Sequence, residues 1–322
     1  MSLSNSLYSL FCKEFAFLFK RICKVYWILL KVMVPALVLV KALDSIGLSH
    51  YIAILISPLM DLVGLPSELG LVWAASLLVN IYTGMAVYFS LGLADPLSVA
   101  QITVLAALIL VAHGLPVESA ISKSAGLSWL YTLSLRFFGA LLLGLILNLV
   151  FSHFSILQQD SQMIWQPDIV DDSLQAWVIL QLQTLVFALL IIAALVFIMR
   201  LLEVLGIEKL IHWLLSPFLK ILGIGKEAAN ITIIGVTLGL SFGGGLLVEQ
   251  VQSGKISKRN VFLAMSFLSL SHSLIEDTML MLLLGADLVS ILIGRLIFTF
   301  IVIALIAHVL YKPKFQGSAK TD

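Results

Sequence analysis

Residues 112–119 read AHGLPVES, and residues 271–278 read SHSLIEDT. At an offset of 159 residues they align a histidine with a histidine, a leucine with a leucine and an acid with an acid. Each stretch interrupts a long apolar run with ionisable side chains. The pattern indicates a chain built from two copies of one unit, each with a polar centre.

The composition is that of a membrane protein. Hydrophobic residues make up 61% of the 322 residues and charged residues only 11%, and the mean hydropathy is +1.10. A soluble domain of this length could not cover so much apolar surface with so few charges. Segments 127–150 and 286–310 each offer about 20 apolar residues, enough to cross roughly 30 Å of hydrocarbon. We therefore predict an all-α polytopic membrane protein whose partner is the lipid bilayer, and the net charge of +1 gives no reason to expect nucleic acid.

The chain lacks the motifs of nucleotide hydrolysis and of common catalytic sites. It has no glycine-rich phosphate loop, no Ser-His-Asp order and no metalloprotease spacing, so we predict that it is not an enzyme and needs no cofactor. Its two cysteines, Cys12 and Cys23, are too few for a thiolate metal cluster, and a disulfide is not expected between them. Any transport would then be driven by a gradient or by a partner.

Residues 1–24 are predicted to form a basic interfacial helix on the cytoplasmic side. Aromatic and apolar residues recur there at helical spacing. The segment also carries four basic residues, Lys13, Lys20, Arg21 and Lys24. No small-residue cleavage site follows the first apolar run, so this segment does not have the pattern of a cleaved signal peptide.

The offset of 159 residues also aligns matching residue types along much of the chain. The aligned pairs include Lys41 and Arg200, Asp44 and Glu203, Ser57-Pro58 and Ser216-Pro217, Glu68 and Glu227, Gly84 and Gly243, and Arg136 and Arg295. Shared Leu and Gly would be expected of any two apolar helices, but matched Ser-Pro, His, acid and Arg positions indicate a true duplication. We predict a first repeat at 25–151, a connector at 152–175, a second repeat at 176–311 and a cytoplasmic tail at 312–322.

The charges of the loops orient the two repeats. The loop QSGKISKR at 252–259 carries three basic residues and is predicted to be cytoplasmic, whereas its counterpart LGLADPLS at 91–98 has an acid and no basic residue. The connector has four acids and no Lys or Arg over 152–173, which indicates the outer face. Equivalent loops on opposite faces predict an inverted repeat, as in many secondary transporters, in a bacterial-type inner (plasma) membrane with both termini cytoplasmic.

An inverted repeat needs an odd number of crossings in each half, which leaves two arrangements. Either all five apolar pieces of each half cross, or three cross while 204–222 lies in the interface and 228–250 forms a re-entrant hairpin. A polar stripe along the first of these pieces favours the interfacial position. The stripe consists of Glu208, His212, Ser216 and Lys220. We predict that each half has three spans, one of them broken, with an interfacial helix and a re-entrant hairpin.

Glycines mark the expected hairpin tips. Residues 239–245 read GLSFGGG and the matching residues 80–86 read NIYTGMA. Because glycine weakens helices and allows tight turns, we predict that the tips include these glycines and that the polar residues beside them contact a bound solute. The tip glycines are Gly84, Gly243, Gly244 and Gly245, and the polar residues are Asn80, Thr83 and Ser241. The alternative is close helix packing through small residues.

A proline and a glycine interrupt the span predicted at 97–125. Pro116 removes a backbone donor and clashes with the preceding turn, and Gly114 loosens the helix further, so the span should unwind near His113. The repeat predicts a matching weak point near His272, although no proline stands there. The two histidines would then meet near a pseudo-twofold axis at mid-membrane.

Charged residues accompany the two histidines. Glu118 and Asp277 are predicted to join them, at a depth where an ionisable group costs roughly 2.5–3.5 kcal/mol and is usually functional. Arg136 and Arg295 in the following spans could instead neutralise these acids and clamp adjacent helices, and the histidines could be satisfied buried side chains. Glu276 has no acidic twin, because an apolar residue holds the matching position, and this makes it the strongest candidate for coupling-ion or proton binding.

Three motifs resemble a known family. HGLPVE at 113–118, SFGGG at 241–245 and SHSLIEDT at 271–278 resemble the bacterial nucleoside recognition (Gate) domain membrane proteins, and the resemblance extends from residue 28 to residue 310. That domain is shared with the concentrative nucleoside transporters and with the permease part of ferrous-iron transporter B. The resemblance implies a transporter-like core, although the polar hairpin signatures of nucleoside binding are absent from this chain.

These features predict a transporter-like protein that moves a small polar solute or ion by alternating access at a midplane site. Imidazoles and carboxylates favour a divalent cation of the Fe, Mn or Zn kind over a neutral nucleoside, with His113, His272 and Glu276 as the expected ligands. The alternatives are a carrier of nucleosides or other polar solutes and a non-transporting scaffold or regulator. The sequence leaves a homo-oligomer open.

Overall fold

The computed structural model describes residues 2–91, 93, 96–163, 173–252 and 256–310. Within these ranges, the description excludes the side chains of residues 2–13, 49, 50, 53, 208, 241, 242 and 252. The described chain is helical and contains no β-strand, only an isolated bridge between Ser98 and Asp160. The predicted all-α class is confirmed.

The helices of the first half recur in the same order in the second half. The first set is α1 (Ser2–Ser45), α2 (Leu48–Leu62), α3 (Leu69–Leu78), α4 (Ile81–Ser90), α5 (Val99–Val111), α6 (Leu115–Ser124) and α7 (Trp129–Phe154). The second set is α8 (Leu174–Val204), α9 (Ile207–Ile221), α10 (Lys226–Leu238), α11 (Leu240–Gln252), α12 (Lys258–Leu270), α13 (Glu276–Leu283), a π-helical turn (Val289–Gly294) and α14 (Arg295–Leu310). The bounds of α9 and α12 are those of α2 and α5 shifted by 159 residues, so the duplication extends to the helix boundaries.

Five helical segments among the described residues are long and apolar enough to cross a bilayer. They are Glu14–Ser45, Val99–Ser124, Trp129–Phe154, Leu174–Val204 and Val289–Leu310. The chain is therefore a helical membrane protein, and five of the six predicted spans are present as such helices. The sixth, predicted at 260–284, is divided into α12 and α13, and each of these is too short to cross alone.

The predicted boundary at residue 24 does not coincide with a helix end. One helix, α1, continues from Ser2 to Ser45. The sequence from 2 to 34 contains neither glycine nor proline, so nothing in it interrupts the helix, and Pro35 lies inside the helix. The described part of the basic segment, 2–24, is thus continuous with the first apolar helix.

Two pairs of short helices are each joined at a break. In the first pair, α3 and α4, Val79 and Asn80 depart from helical geometry. In the second pair, α10 and α11, only Gly239 intervenes, with φ +96°. This conformation favours glycine, so Gly239 is the residue that the second break requires.

The predicted tip glycines do not lie at these breaks. Gly84 lies inside α4, and Gly243, Gly244 and Gly245 lie inside α11. A Cβ on Gly84 would collide with Ser76 of α3, and a Cβ on Gly243 would collide with the backbone of Gly235 in α10. Gly84 and Gly243 therefore let the two arms of each pair approach closely, which is the packing alternative. The side chain of Ser241 lies outside the described residues.

The connector ties both halves together at one end of the molecule. The Val99 amide donates to the Gln159 carbonyl at 2.9 Å, and the Ser161 amide donates to the Leu97 carbonyl at 2.8 Å. The Ser161 hydroxyl also donates to the Leu284 carbonyl at 3.0 Å. The beginning of α5 and the end of α13 therefore lie at the same end of the molecule.

Part of the predicted polar stripe of α9, at His212, faces the neighbouring helix α10. The His212 Nε2 lies 2.9 Å from the Asn230 Oδ1 of α10, and the Ser216 hydroxyl lies 3.2 Å from the His212 Nδ1. Trp213 and Ile221 of the same helix are exposed. Several charges that oriented the repeats lie outside the described residues, namely Asp95, Lys255, Asp168, Asp171 and Asp172, as do the side chain of Glu208 and the tail 312–322.

Candidate functional site

The two histidine stretches form breaks between helices. A break at 112–114 separates α5 from α6, and Gly114 there adopts φ +55°. A break at 271–275 separates α12 from α13, and Ser273, which aligns with Gly114, adopts φ +46°. Positive φ is uncommon for a residue with a side chain. The second half thus reaches the same backbone shape without proline or glycine.

Each break is held by the helix pair of its own half. The Gly114 amide donates to the Ser76 carbonyl of α3 at 2.9 Å, and the Leu274 amide donates to the Val236 carbonyl of α10 at 2.8 Å. The first amides of a helix have no acceptor within that helix, and the paired helices supply the acceptors here. The arms α3 and α10 therefore fix the positions of the two breaks.

The two imidazoles face each other across the molecule. The His113 Nδ1 lies 2.9 Å from the Ile109 carbonyl oxygen, and the His272 Nδ1 lies 2.8 Å from the Leu268 carbonyl oxygen. A carbonyl only accepts, so each Nδ1 carries a hydrogen and donates it. In the neutral ring this leaves both Nε2 atoms with a lone pair, and these two atoms lie 3.2 Å apart. Both side chains are buried, with exposed fractions of 7% and 2%.

Two carboxylates complete the cluster. The Glu118 Oε1 lies 3.2 Å from the His113 Nε2 and 3.3 Å from the His272 Nε2. The Asp277 Oδ2 lies 3.9 Å and 4.0 Å from the same two atoms. Asp277 is only 6% exposed, and its Oδ2 has no hydrogen-bond partner among the described residues. The structure therefore brings together four of the residues that the sequence singled out, two from each half.

Arg136 holds one side of this cluster. Its guanidinium pairs with the Glu118 Oε2, the carboxylate oxygen that does not face the imidazoles. Its Nε donates to the Val111 carbonyl at 2.9 Å, at the end of α5. Arg136 is fully buried, so this ion pair both neutralises Glu118 and joins α7 to the break.

The matching pair of Arg295 and Asp277 is not formed. The Arg295 Nε donates to the Leu270 carbonyl at 2.8 Å, and its Nη2 donates to the His272 carbonyl at 3.2 Å. Two of its donors are thus used on backbone oxygens, one at the end of α12 and one in the break that follows. Within the described residues, no carboxylate oxygen lies within 4.0 Å of the guanidinium. The alternative in which Arg295 forms an ion pair with Asp277 is therefore not the arrangement of these described residues.

Three predicted binding residues lie elsewhere. Glu276 does not meet the imidazoles; its Oε1 accepts a hydrogen bond from the Tyr82 hydroxyl at 3.3 Å. The Asn80 Oδ1 accepts from the Thr83 amide at 2.9 Å and from the Thr83 hydroxyl at 3.1 Å. Asn80 and Thr83 therefore form the N-terminal cap of α4, which uses their hydrogen-bonding capacity locally. The carboxylates beside the two imidazoles are those of Glu118 and Asp277 rather than that of Glu276.

The positions of these atoms suit a metal ion. A tetrahedral ion with bonds of about 2.0–2.1 Å separates its ligand atoms by about 3.3 Å, close to the spacing of the two Nε2 atoms and the Glu118 Oε1. His113, His272 and Asp277 also each offer an atom within 4.8 Å of the others. The Glu118 carboxylate lies nearer to the two imidazoles but also pairs with Arg136. The Asp277 carboxylate lies farther from the imidazoles, and its Oδ2 has no hydrogen-bond partner among the described residues. The Nδ1–H group of each histidine donates a hydrogen bond to a carbonyl oxygen, as the second nitrogen of metal-binding histidines does.

Comparison with known proteins supports the membrane assignment. Over 303 residues the chain is 28% identical to the uncharacterized membrane protein YvoD of Bacillus subtilis strain 168, and the alignment covers 90% of this chain and 94% of that protein. No family model matches the chain, and no solved structure matches it. With the five long apolar helices, this similarity assigns the chain to the helical membrane proteins.

Proposed function

We propose that the protein carries a divalent transition-metal cation of the Fe, Mn or Zn kind across the membrane through the buried cluster of His113, His272, Glu118 and Asp277. The observation that carries the proposal is the convergence of two Nε2 atoms and one carboxylate oxygen within 3.3 Å of one another. Two lone pairs that face each other at this distance repel unless a proton or a cation lies between them. Imidazole and carboxylate ligands together suit cations of this kind.

The charges around the cluster favour a cation over a neutral solute. Arg136 neutralises Glu118, whereas the Asp277 Oδ2 lies 3.9 Å and 4.0 Å from the two imidazoles and has no hydrogen bond among the described residues. A buried carboxylate without a hydrogen bond or a counter-charge is costly. A cation between the imidazoles would supply the missing partner of Asp277, and an uncharged nucleoside would not.

The helix arrangement supports alternating access between two inverted halves. The two broken helices run in opposite directions, because α5 begins where α13 ends. The α3–α4 and α10–α11 pairs support the proposed re-entrant hairpins, because an arm of each pair binds the break beside the cluster. Such halves can rock against each other around a fixed site, as in many secondary transporters. The relation to Gate-domain proteins remains part of this proposal.

A second candidate function is carriage of a neutral polar solute. A cavity of about 250 Å³ lies beside the start of α5 and the end of α7. Uncharged polar side chains line much of it, namely Ser98, Gln101, Asn148, Ser152 and Gln158. Amides and hydroxyls fix neutral ligands by hydrogen bonds, so this cavity is the observation that favours a nucleoside-like or other polar substrate.

Uptake into proteoliposomes separates these functions. The purified protein is expected to give saturable uptake of Mn²⁺ or Zn²⁺ above that of protein-free liposomes, and excess unlabelled nucleosides should not compete, because they offer no charge to the cluster. Uptake of labelled nucleoside without metal uptake would favour the neutral-solute carrier. Absence of both activities in correctly inserted protein would favour the non-transporting scaffold or regulator.

A further inference from the structure

A hydrogen bond joins the two halves beside the cluster. The Tyr82 hydroxyl, in the first turn of α4, donates to the Glu276 Oε1, in the first turn of α13, at 3.3 Å. Glu276 directly precedes Asp277, whose Oδ2 lies 3.9 Å from the His113 Nε2. Glu276 is partly exposed while Asp277 is buried. The pair therefore lies between the buried cluster and its surroundings.

The matching side of the cluster lacks this contact. At the offset of 159 residues, Val117 occupies the place of Glu276 and Ser241 the place of Tyr82. Val117 cannot accept a hydrogen bond and is 62% exposed. The first half thus presents an exposed valine at the position where the second half presents a carboxylate bound by a phenol. A carrier needs a difference between the two approaches to its site in each of its end states.

We propose that Tyr82 and Glu276 form the gate on one side of the metal site and that the Glu276 carboxylate is the first charged group that a divalent cation meets there. This inference rests on the proposed function. A carboxylate at the mouth attracts the cation and raises its rate of arrival. The Tyr82 bond joins a helix of the first half to a helix of the second, so it must break when the halves move apart. Glu276 attracts the cation to the site, and the buried cluster binds it.

Stopped-flow binding of Co²⁺ tests the gate, because Co²⁺ reports its ligands through its visible absorption. In detergent-solubilised full-length protein, Glu276→Gln is expected to keep the Co²⁺ spectrum of the wild type and to slow Co²⁺ binding about tenfold, with a weaker dependence on salt. Tyr82→Phe is expected to speed binding and release by the same factor, about three- to tenfold. Loss of a gate contact lowers a barrier in both directions and leaves the equilibrium affinity unchanged.

Tyr88→Phe is the matched control for the tyrosine. Tyr88 lies on the same helix, is buried, and its hydroxyl has no hydrogen-bond partner among the described residues, so its removal should leave both rates unchanged. Loss of the Co²⁺ spectrum in Glu276→Gln would make Glu276 a ligand and overturn the gate. If Glu276→Gln and Tyr82→Phe both bind and release Co²⁺ at the wild-type rates, the proposed gate is overturned and the proposed function is not. A wild type without a Co²⁺ spectrum, or a His272→Ala variant that keeps it, would overturn the proposed function and the gate with it.

Discussion

Replacing His272 with alanine is expected to abolish metal uptake and to lower the affinity for Zn²⁺ or Mn²⁺ by more than about 100-fold. Even residues that only orient a ligand contribute about 10- to 100-fold to metal affinity, and His272 supplies one of the three atoms that converge within 3.3 Å. His113→Ala should have the same effect, because both imidazoles present Nε2 to the same point. The measurement is equilibrium metal binding in detergent together with uptake in proteoliposomes.

His153→Ala is the control for these two variants. His153 lies in the last turn of α7, is exposed, and contacts the ring of Phe154 rather than the cluster. It should bind and transport as the wild type does. If His113→Ala and His272→Ala, each inserted and folded, also matched the wild type, the assignment of the site would be wrong.

Replacing Arg136 with methionine is expected to lower the free energy of unfolding by about 3–5 kcal/mol, because it leaves the Glu118 carboxylate buried without its counter-charge. Arg136 is fully buried and also donates to the Val111 carbonyl, so water cannot replace it easily. The measurement is chemical denaturation in detergent, followed by circular dichroism.

The double variant Arg136→Met with Glu118→Gln distinguishes a charge effect from a packing effect. When the carboxylate is already neutral, the loss of the guanidinium should cost much less, and the difference between the two costs is the coupling energy of the pair. Equal costs in the two backgrounds would mean that Arg136 stabilises the protein through packing and through its bond to Val111, and not through Glu118.

Much of the fold could be predicted from the sequence because apolar length and repeated residues report on it directly. A run of about 20 apolar residues is long enough for a span, and five spans were found in this way. The aligned histidines also located the two helix breaks. The end of the interfacial helix predicted at residue 24 does not occur, because a change from basic to apolar residues contains no signal that ends a helix.

The site could be predicted only in part, because its geometry depends on contacts between the halves. His113, Glu118, His272 and Asp277 could be named from the repeat. The contact of Glu276 with Tyr82 could not, since the two residues lie 194 positions apart and the residue that aligns with Glu276, Val117, has no polar side chain to suggest such a pair. Glycine serves both tight turns and close packing, and the sequence does not distinguish the two uses. For this reason the prediction places the glycines of α11 at the hairpin tip, although they lie inside a helix.

Metal K-edge X-ray absorption on the purified Zn²⁺-loaded protein tests whether the two imidazoles bind the metal. The expected result is a first shell with two imidazole nitrogens at about 2.0–2.1 Å, completed by carboxylate or water oxygens, and the loss of one imidazole in His272→Ala. A first shell without imidazole, or one that His113→Ala and His272→Ala leave unchanged, would contradict a metal site formed by His113 and His272.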